Sequence, residues 1–228
     1  MFDNAEAQRA IRAGRVTNAA GLPLTAPETK VEPQSGLLFD GAPLKGAEGA
    51  ACLMLYKPDG VLSATEDKHD TTVFDLLPEE YARAKLSIVG RLDKDSEGLL
   101  LLTADGELNH RLTSPKREVA KTYLVRTDRP PEPGDVSAFA AGIDLGDFFT
   151  RPALLEPLPD GACTSIVTIS EGKFRQIRRM FAKCGKEVVF LKRLSIGSLR
   201  LDEALQPGDF RFLTGQERAA LYHDVHMC

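Results

Sequence analysis

The sequence predicts an α+β fold, in which a mostly antiparallel mixed sheet carries flanking helices and follows a small N-terminal module. Short apolar or β-branched runs of strand length recur along the chain, for example at residues 99–103 and 164–169. Only a few helical segments separate these runs, which is typical of an antiparallel sheet and not of a doubly wound parallel one. A Gly- and Ala-rich linker at residues 46–50 divides the chain into residues 1–46 and residues 47–228.

Each element is predicted from a local pattern. Gly14 is a plausible stop for the first helix, and Asp105 stands where an N-cap would begin another. Two apolar runs have the length of a strand; Gly90 follows the first and Gly98 precedes the second. The predicted helices are residues 4–13, 106–112, 174–184 and 214–222, with one helical turn at 73–77. The predicted strands are residues 15–17, 36–40, 52–56, 86–89, 99–103, 121–126, 164–169, 188–191 and 196–201.

The composition excludes several classes of protein. Of the 228 residues, 43% are apolar and 27% are charged, a globular balance that excludes disorder, collagen and coiled coil as the main architecture. No apolar run is long enough to cross a bilayer, and residues 1–20 lack the apolar core of a secretory signal, so we expect a cytoplasmic protein without a membrane partner. The four cysteines are too far apart for a zinc or redox motif. No glycine-rich phosphate loop is visible either, so we expect neither a metal nor a cofactor.

Positive charge is concentrated in two segments of an otherwise acidic chain. The net charge is −4, yet residues 173–200 hold nine Lys and Arg residues against the single acid Glu187. A second segment, residues 110–126, holds five Lys and Arg residues against Glu118. This distribution indicates one face built for a polyanion. The alternative is a solvated surface that is basic by chance.

The connection between the predicted strands at 86–89 and 99–103 is longer than a tight hairpin requires, and such loops are often functional. It reads Gly-Arg-Leu-Asp-Lys-Asp-Ser-Glu-Gly and contains Asp93, Asp95 and Glu97 beside two cations. A carboxylate that a nearby arginine keeps ionised can act as a nucleophile or a base. The alternative is an ordinary polar turn with surface ion pairs.

The predicted helix at 174–184 has an apolar face and a basic face at about 100° per residue. Arg175, Arg179 and Lys183, spaced by four, are expected to meet solvent or phosphate. Arg178 stands at the border of the apolar face, from which a guanidinium can reach inward. The alternative is an amphipathic helix with a basic outer face. The apolar face comprises Phe174, Ile177, Met180, Phe181 and Cys184.

The run Lys-Thr-Tyr-Leu-Val at residues 121–125 alternates as a strand does. Lys121, Tyr123 and Val125 therefore share one face. The tyrosine on that face is either half-buried core or a side chain that stacks on a base.

In combination, these segments resemble the pseudouridine synthases, and within them the branch that modifies uridines in bacterial ribosomal RNA. Gly-Arg-Leu-Asp at 90–93, followed by Ser-x-Gly and an apolar run to Thr103, is similar to the family's catalytic-aspartate motif, with Ser96 where threonine is more common. Lys-Thr-Tyr at 121–123 and Arg-Gln-Ile-Arg-Arg-Met at 175–180 resemble two further motifs. The stretch at 57–67, which begins Lys-Pro-x-Gly, looks most like the small-subunit (16S) RNA subgroup.

The N-terminal segment carries a second resemblance. Residues 6–17 resemble the second helix and following strand of an S4-type RNA-binding module. We expect the first helix of such a module to be missing before Met1, and Asn-Ala-Ala-Gly at 18–21 stands in place of its Val-Asn-Gly-like turn. The resemblances imply a truncated S4-like module over residues 1–46 and a pseudouridine synthase catalytic domain over residues 47–228.

The resemblance implies isomerisation of a specific uridine to pseudouridine in 16S ribosomal RNA, at a position of the uridine-516 type; the alternative is a 23S ribosomal RNA enzyme. It implies Asp93 as the catalytic carboxylate, which either attacks C1′ or removes the C2′ proton. Arg178 would pair with Asp93, and Tyr123 would stack on the displaced uracil. The expected partner is ribosomal RNA or a pre-ribosomal small-subunit particle, and the expected state is a monomer. The expected RNA contacts are Arg9, Arg12, Arg15, Arg91, Arg111, Lys116, Arg117, Arg175, Arg179, Lys183, Lys192 and Arg193.

Two other classes of protein fit parts of the sequence. A hydrolytic glycosidase would use two carboxylates of the acidic loop, about 5–9.5 Å apart, but would not need the basic segments. A non-catalytic RNA-binding protein would keep the basic face and use Asp93 only as a turn residue.

Overall fold

The computed structural model describes residues 4–18, 20–29, 37–43, 52–78, 81, 86–159 and 163–227. The chain divides into two compact units, Met1–Ala51 and Cys52–Cys228. The predicted domain boundary, between residues 46 and 47, lies outside the described residues and stays a prediction.

The first unit contains a helix followed by short antiparallel strands in the order β1-β2-β3. Gly14 ends the helix, as predicted, because it adopts a positive φ of 70° and its amide donates to the carbonyl of Ile11. The resemblance of this unit to an S4-type module stays a prediction. Its elements are α1 (Asn4–Arg12), β1 (Val16–Thr17), β2 (Leu38–Phe39) and β3 (Ala42–Pro43).

The second unit is built on one mixed sheet with helices packed against it. Its strands are β4 (Cys52–Lys57), β5 (Ser87–Val89), β6 (Glu97–Thr103), β7 (Lys121–Thr127), β8 (Leu154–Pro157), β9 (Thr164–Ile169), β10 (Val188–Ile196), β11 (Leu199–Arg200) and β12 (Phe210–Phe212). Its helices are α2 (Gly106–Thr113), α3 (Pro133–Ala141), α4 (Gln176–Lys183) and α5 (Gly215–Asp224), with a short 3₁₀ helix at Pro115–Arg117. None of the described helices is long and apolar enough to span a membrane.

The strand order of this sheet is β12-β4-β6-β10-β7-β9-β8, with β5 paired to β6 and β11 paired to β10. Among the described strands, β6 and β10 pair in parallel, and the other pairs are antiparallel. The predicted α+β class with a mostly antiparallel mixed sheet is therefore confirmed.

Strand β6, which follows the acidic loop, lies inside the sheet and is buried along its length. Its four consecutive leucines, Leu99 to Leu102, have no exposed surface, and such a continuous apolar run is typical of a strand covered on both faces. On one face, Leu99 and Leu101 belong to the same core cluster as Leu108 of α2 and Leu221 of α5. The packing of β6 fixes the C-terminal end of the acidic loop.

Side-chain caps begin the two helices of this core. Asp105 accepts hydrogen bonds from the amides of Glu107 and Leu108, both at 3.0 Å, so the predicted cap of α2 is present. Thr214 accepts from the amide of Glu217, whose carboxylate accepts from the amide of Thr214 in return. These contacts satisfy amides that the first turn of a helix leaves without partners.

Several predicted elements differ from those observed in extent or in type. Helix α4 begins at Gln176 and not at residue 174, because Arg175 adopts a left-handed backbone with φ 47° that interrupts the helix. The strands predicted at 188–191 and 196–201 form the continuous strand β10 and the short β11. The helical turn predicted at 73–77 is present as hydrogen-bonded turns.

Candidate active site

The three segments singled out in the sequence converge on one cavity of about 710 Å³. This volume lies in the range of small-molecule sites, about 300–1,000 Å³. The walls come from the loop between β5 and β6, from β7, from the turn before α4 and from β10. The lining residues include Arg91, Asp93, Lys121, Tyr123, Phe174 and Arg193.

Asp93 contributes a half-buried carboxylate to this cavity. Among the described residues, no side chain or amide donates a hydrogen bond to that carboxylate, and none forms an ion pair with it. The adjoining backbone is nevertheless fixed, because Ser63 Oγ donates to the Leu92 carbonyl at 2.8 Å and accepts from the Leu92 amide at 3.1 Å. The amide of Ser96 donates to the Asp93 carbonyl at 3.1 Å. The carboxylate therefore stands on a fixed backbone and faces the cavity, and the buried charge of Lys57 acts on it without a direct ion pair.

Lys57 anchors the loop between β5 and β6 through buried hydrogen bonds, a role that the sequence analysis did not identify. Its side chain is fully buried, and its Nζ donates to the carbonyls of Pro58 at 2.9 Å, Lys94 at 3.2 Å and Ser96 at 2.6 Å. Burial lowers the pKa of Lys57 to about 8. The available signal was a lysine that ends an otherwise apolar strand, directly before the predicted turn.

The predicted pairing of Arg178 with Asp93 is not present in the structure. The guanidinium of Arg178 instead donates to the carbonyls of Asp95 at 2.6 Å and Val188 at 2.8 Å, and lies 3.4 Å from the Asp95 carboxylate. The physical reason is that Arg178 lies on the side of the loop that carries Asp95, next to Val188, whereas Asp93 faces the cavity on the other side. Arg178 therefore holds the loop that carries Asp93 without touching its carboxylate.

The far side of the loop borders a second cleft of about 580 Å³. Asp95, Arg175, Arg178 and Lys186 are among the residues that line it. Arg175 donates to the Asp95 carboxylate at 2.8 Å. The loop thus separates the cavity that contains Asp93 from a cleft in which Asp95 is paired with arginines.

Two buried cations lie in the wall of the Asp93 cavity. Lys121 donates to the Val119 carbonyl at 2.8 Å, and burial together with the positive charge of Arg193 lowers the pKa of Lys121 to about 8. Arg193 is only 1% exposed, and its Nε donates to the Leu99 carbonyl at 2.8 Å. Its predicted position on a basic outer surface is therefore wrong, because the residue lies inside the continuous strand β10.

The close approach of β10 to the end of the loop explains why residue 98 is a glycine. Gly98 pairs with Arg193 in the parallel register of β6 and β10, and its φ is +106°. A Cβ atom at this position would lie 2.3 Å from the Arg193 carbonyl oxygen. The end of the acidic loop therefore requires a residue without a side chain.

Tyr123 lies in the cavity wall and is 6% exposed. It shares one face of β7 with buried Lys121 and Val125, as the sequence predicts. Within the described residues, no group of three His, Cys, Asp or Glu side chains is arranged to hold a metal ion.

The other predicted RNA contacts lie at or near the surface. Arg91, Lys116, Arg117 and Lys183 are exposed, as are Arg9 and Arg12 in the first unit. Some cations already have partners: Arg15 pairs with Asp40, Arg111 with Glu107, Arg179 with Asp147, and Lys192 lies over the ring of Tyr56. Contact of these residues with RNA stays a prediction.

Comparisons with known proteins assign the family. Residues 51–183 match the model of the family described as RNA pseudouridylate synthase. The chain is 48% identical to an uncharacterized RNA pseudouridine synthase, YtzG, of Bacillus subtilis over 72% of its length and 70% of the relative. It is 41% identical to the ribosomal small subunit pseudouridine synthase A of Salmonella typhimurium, over 94% of this chain and 92% of the relative.

A solved structure extends this likeness to the fold. A crystal structure of a pseudouridylate synthase superposes with a TM-score of 0.71 at 37% identity, and the match covers 96% of this chain and 94% of that one. A complex of Cbf5, Nop10 and Gar1 matches with a TM-score of 0.51 at 17% identity, which is a likeness of fold alone. The predicted family is confirmed: the chain belongs to the RNA pseudouridylate synthases.

Proposed function

We propose that this protein isomerises a specific uridine to pseudouridine in small-subunit (16S) ribosomal RNA, with Asp93 as the catalytic carboxylate. The observation that carries the proposal is the position of Asp93 on an anchored loop, in a cavity of about 710 Å³ that Tyr123 and Lys121 also line. Relatives named ribosomal small subunit pseudouridine synthase A, which match over more than nine-tenths of this chain, support the choice of RNA.

The reaction needs no net gain or loss of atoms or electrons. The bond between C1′ and N1 breaks, the uracil turns, and a bond forms between C1′ and C5, while C5 loses a proton and N1 gains one. The Asp93 carboxylate either attacks C1′ or removes the C2′ proton, and both roles require a base or nucleophile close to the sugar. Tyr123 in the wall supplies an aromatic face for the detached uracil.

The buried cations suit the charge that develops during this step. A uracil that leaves C1′ with the bonding electrons carries negative charge. Lys121 and Arg193 line the same cavity and are fixed by hydrogen bonds to the carbonyls of Val119 and Leu99. Positive charge that is already oriented in a buried wall stabilises such an anion without reorganisation.

Entry into the cavity requires the target nucleotide to leave its stack in the RNA, at a cost of a few kcal/mol. Exposed cations around the cavity mouth, such as Arg91 and Lys173, can offset part of this cost by binding phosphates. The proposed target is a uridine-516-type position in ribosomal RNA or a pre-ribosomal small-subunit particle, and the proposed location is the cytoplasm.

The test is to map pseudouridine by mass spectrometry in ribosomal RNA from cells that lack this protein. We expect one small-subunit uridine to stay unmodified, wild-type protein to restore it and Asp93→Asn to leave it unmodified. Asp95→Asn is the matched control and should restore the modification. An unmodified site in large-subunit RNA would support a 23S enzyme instead, and a complete set of modifications in the deleted strain would contradict the proposed function.

A further inference from the structure

Phe174 is an aromatic side chain that lines the Asp93 cavity and remains 76% exposed. The sequence pattern predicted this ring on the buried face of α4. That prediction is wrong, because α4 begins at Gln176 and leaves Phe174 in the preceding turn. Tyr123 lies in the wall of the same cavity at 6% exposure, so the two aromatic side chains differ in depth. The ring of Phe174 therefore lies at the exposed edge of the cavity.

The turn that carries Phe174 is held by buried hydrogen bonds. The Gln176 side chain accepts from the amide of Lys173 at 3.1 Å and donates to the carboxylate of Glu171 at 2.8 Å. That carboxylate also accepts from the amide of Arg151 at 2.9 Å, and both Glu171 and Gln176 are buried. The exposure of Phe174 therefore does not result from a loose loop, and the backbone that presents the ring is in place before a ligand binds.

Phe174 stands in the sequence between two cations, Lys173 and Arg175, and each of them contacts another side chain. The Nζ of Lys173 lies 3.6 Å from the centroid of the Phe148 ring. Arg175 donates to the Asp95 carboxylate at 2.8 Å. An aromatic surface between positive charges is the combination that binds single-stranded nucleic acid, because the ring stacks on a base while the cations attract the backbone.

We propose that Phe174 stacks on the unpaired base adjacent to the target uridine and thereby positions the RNA at the cavity. The inference rests on the proposed function, since it requires a uridine that leaves its stack to enter the cavity. When that uridine turns out, the neighbouring base loses a stacking partner. The exposed face of Phe174 at the edge of the cavity replaces that partner.

The experiment uses three RNA hairpins taken from small-subunit ribosomal RNA around the target uridine. One is intact, and the other two carry an abasic nucleotide directly before or directly after the target. Dissociation constants are measured for wild-type protein and for Phe174→Ala, Phe174→Leu and Phe174→Tyr. Phe149→Ala is the matched control, because Phe149 is 64% exposed but is not among the residues that line the cavity.

We expect Phe174→Ala and Phe174→Leu to weaken binding of the intact hairpin by about ten- to hundredfold. Phe174→Tyr and Phe149→Ala should bind it as wild type does. On one of the two abasic hairpins, wild type and Phe174→Ala should bind equally, because the base that Phe174 contacts is missing. Phe174→Leu tests the same loss with an apolar side chain of similar size, so the result does not depend on one variant's folding.

The proposal is overturned if Phe174→Ala and Phe174→Leu bind the intact hairpin as tightly as wild type, or if their loss is the same on all three hairpins. An equal loss in Phe149→Ala also overturns it. The proposed function is tested separately, by measuring pseudouridine in the intact hairpin after incubation with wild-type protein. If no pseudouridine forms, the proposed function itself fails. Conversion by wild type together with an unchanged affinity of Phe174→Ala would reject the stacking role alone.

Discussion

Asp93 and Asp95 lie two residues apart in the same loop, yet they have opposite surroundings. Asp93 faces the large cavity, and no described residue pairs with its carboxylate. Asp95 borders the second cleft, where Arg175 and Arg178 both lie within ion-pair distance of its carboxylate. The Asp95 carboxylate is already engaged by two arginines, whereas the Asp93 carboxylate faces the cavity and is open to a ligand.

The difference depends on which contacts hold the loop. Lys57 binds the carbonyls of Lys94 and Ser96, and Arg178 binds the carbonyl of Asp95. These contacts use the backbone of the half of the loop that follows Asp93. They fix the position of Asp93 without forming an ion pair with its carboxylate. We therefore expect substitutions on the anchoring side to affect stability and positioning, and substitution of Asp93 to affect chemistry alone.

The largest effect on stability is expected for Lys57→Met. It removes the buried donor from the Ser96 carbonyl, whereas the Lys94 carbonyl keeps the amide of Gly60, and an unsatisfied buried acceptor costs about 1–3 kcal/mol. The free energy of unfolding, measured by urea denaturation, should fall by that amount. Lys94→Met is the matched control: Lys94 forms an exposed ion pair with Asp70, and its loss should cost about 1 kcal/mol or less. Equal losses would show that Lys57 does not anchor the loop.

Arg178→Ala should lower turnover while leaving RNA affinity nearly unchanged. Without its contacts to Asp95 and Val188, the loop that carries Asp93 is free to shift, and a displacement of about 1 Å at a reacting group costs up to about a hundredfold in rate. Single-turnover measurement with saturating enzyme reads this loss directly. Arg179→Ala is the control, because Arg179 pairs with Asp147 away from the loop. A loss in affinity with an unchanged rate would reassign Arg178 to RNA binding.

Lys121→Met should change how stability depends on pH. The folded protein lowers the pKa of Lys121 from 10.5 to about 8, so between these values the unfolded state binds more protons. The free energy of unfolding of wild type should therefore gain a contribution from Lys121 as pH rises from 8 towards 10.5, and Lys121→Met should lack it. Urea denaturation of both proteins at pH 7.5 and 9.5 measures the difference.

Other groups affect both proteins in that experiment and cancel in the comparison. Burial raises the pKa of Tyr56, Tyr222 and Cys52, which opposes the contribution of Lys121 at high pH. The quantity to compare is therefore the change with pH in wild type minus the change in Lys121→Met. A difference of zero or of opposite sign would contradict the buried, charged environment of Lys121.

The smallest effects are expected for two cations of α4, the half-buried Arg179 and the exposed Lys183. Arg179→Ala and Lys183→Ala should each reduce the slope of log affinity against log salt by about one, as the loss of one phosphate contact does. Binding titrations over a series of salt concentrations measure this slope, and turnover at saturating RNA should not change. An unchanged slope would place the RNA on another surface of the protein.

Local patterns predicted much of the fold and part of the site. The apolar strands, the Asp105 cap and the convergence of the three motif segments could be identified, because periodicity, capping and motif order are visible along the chain. The role of Lys57 and the burial of Arg193 could not be, since their partners are carbonyls about 39 and 94 residues away and carbonyls have no sequence signature. The start of α4 was misplaced because a left-handed arginine is uncommon.

The central claim is that one loop carries a reactive carboxylate and a structural one. The most direct test measures single-turnover rates of Asp93→Asn and Asp95→Asn on the same RNA at saturating enzyme, with dissociation constants as a check on binding. We expect Asp93→Asn to be slower than wild type by at least about a thousandfold, as loss of a catalytic nucleophile or base is. Asp95→Asn should lose less than about tenfold, and both should bind RNA as wild type does. Similar rate losses in the two variants, or near-wild-type turnover by Asp93→Asn, would contradict the account.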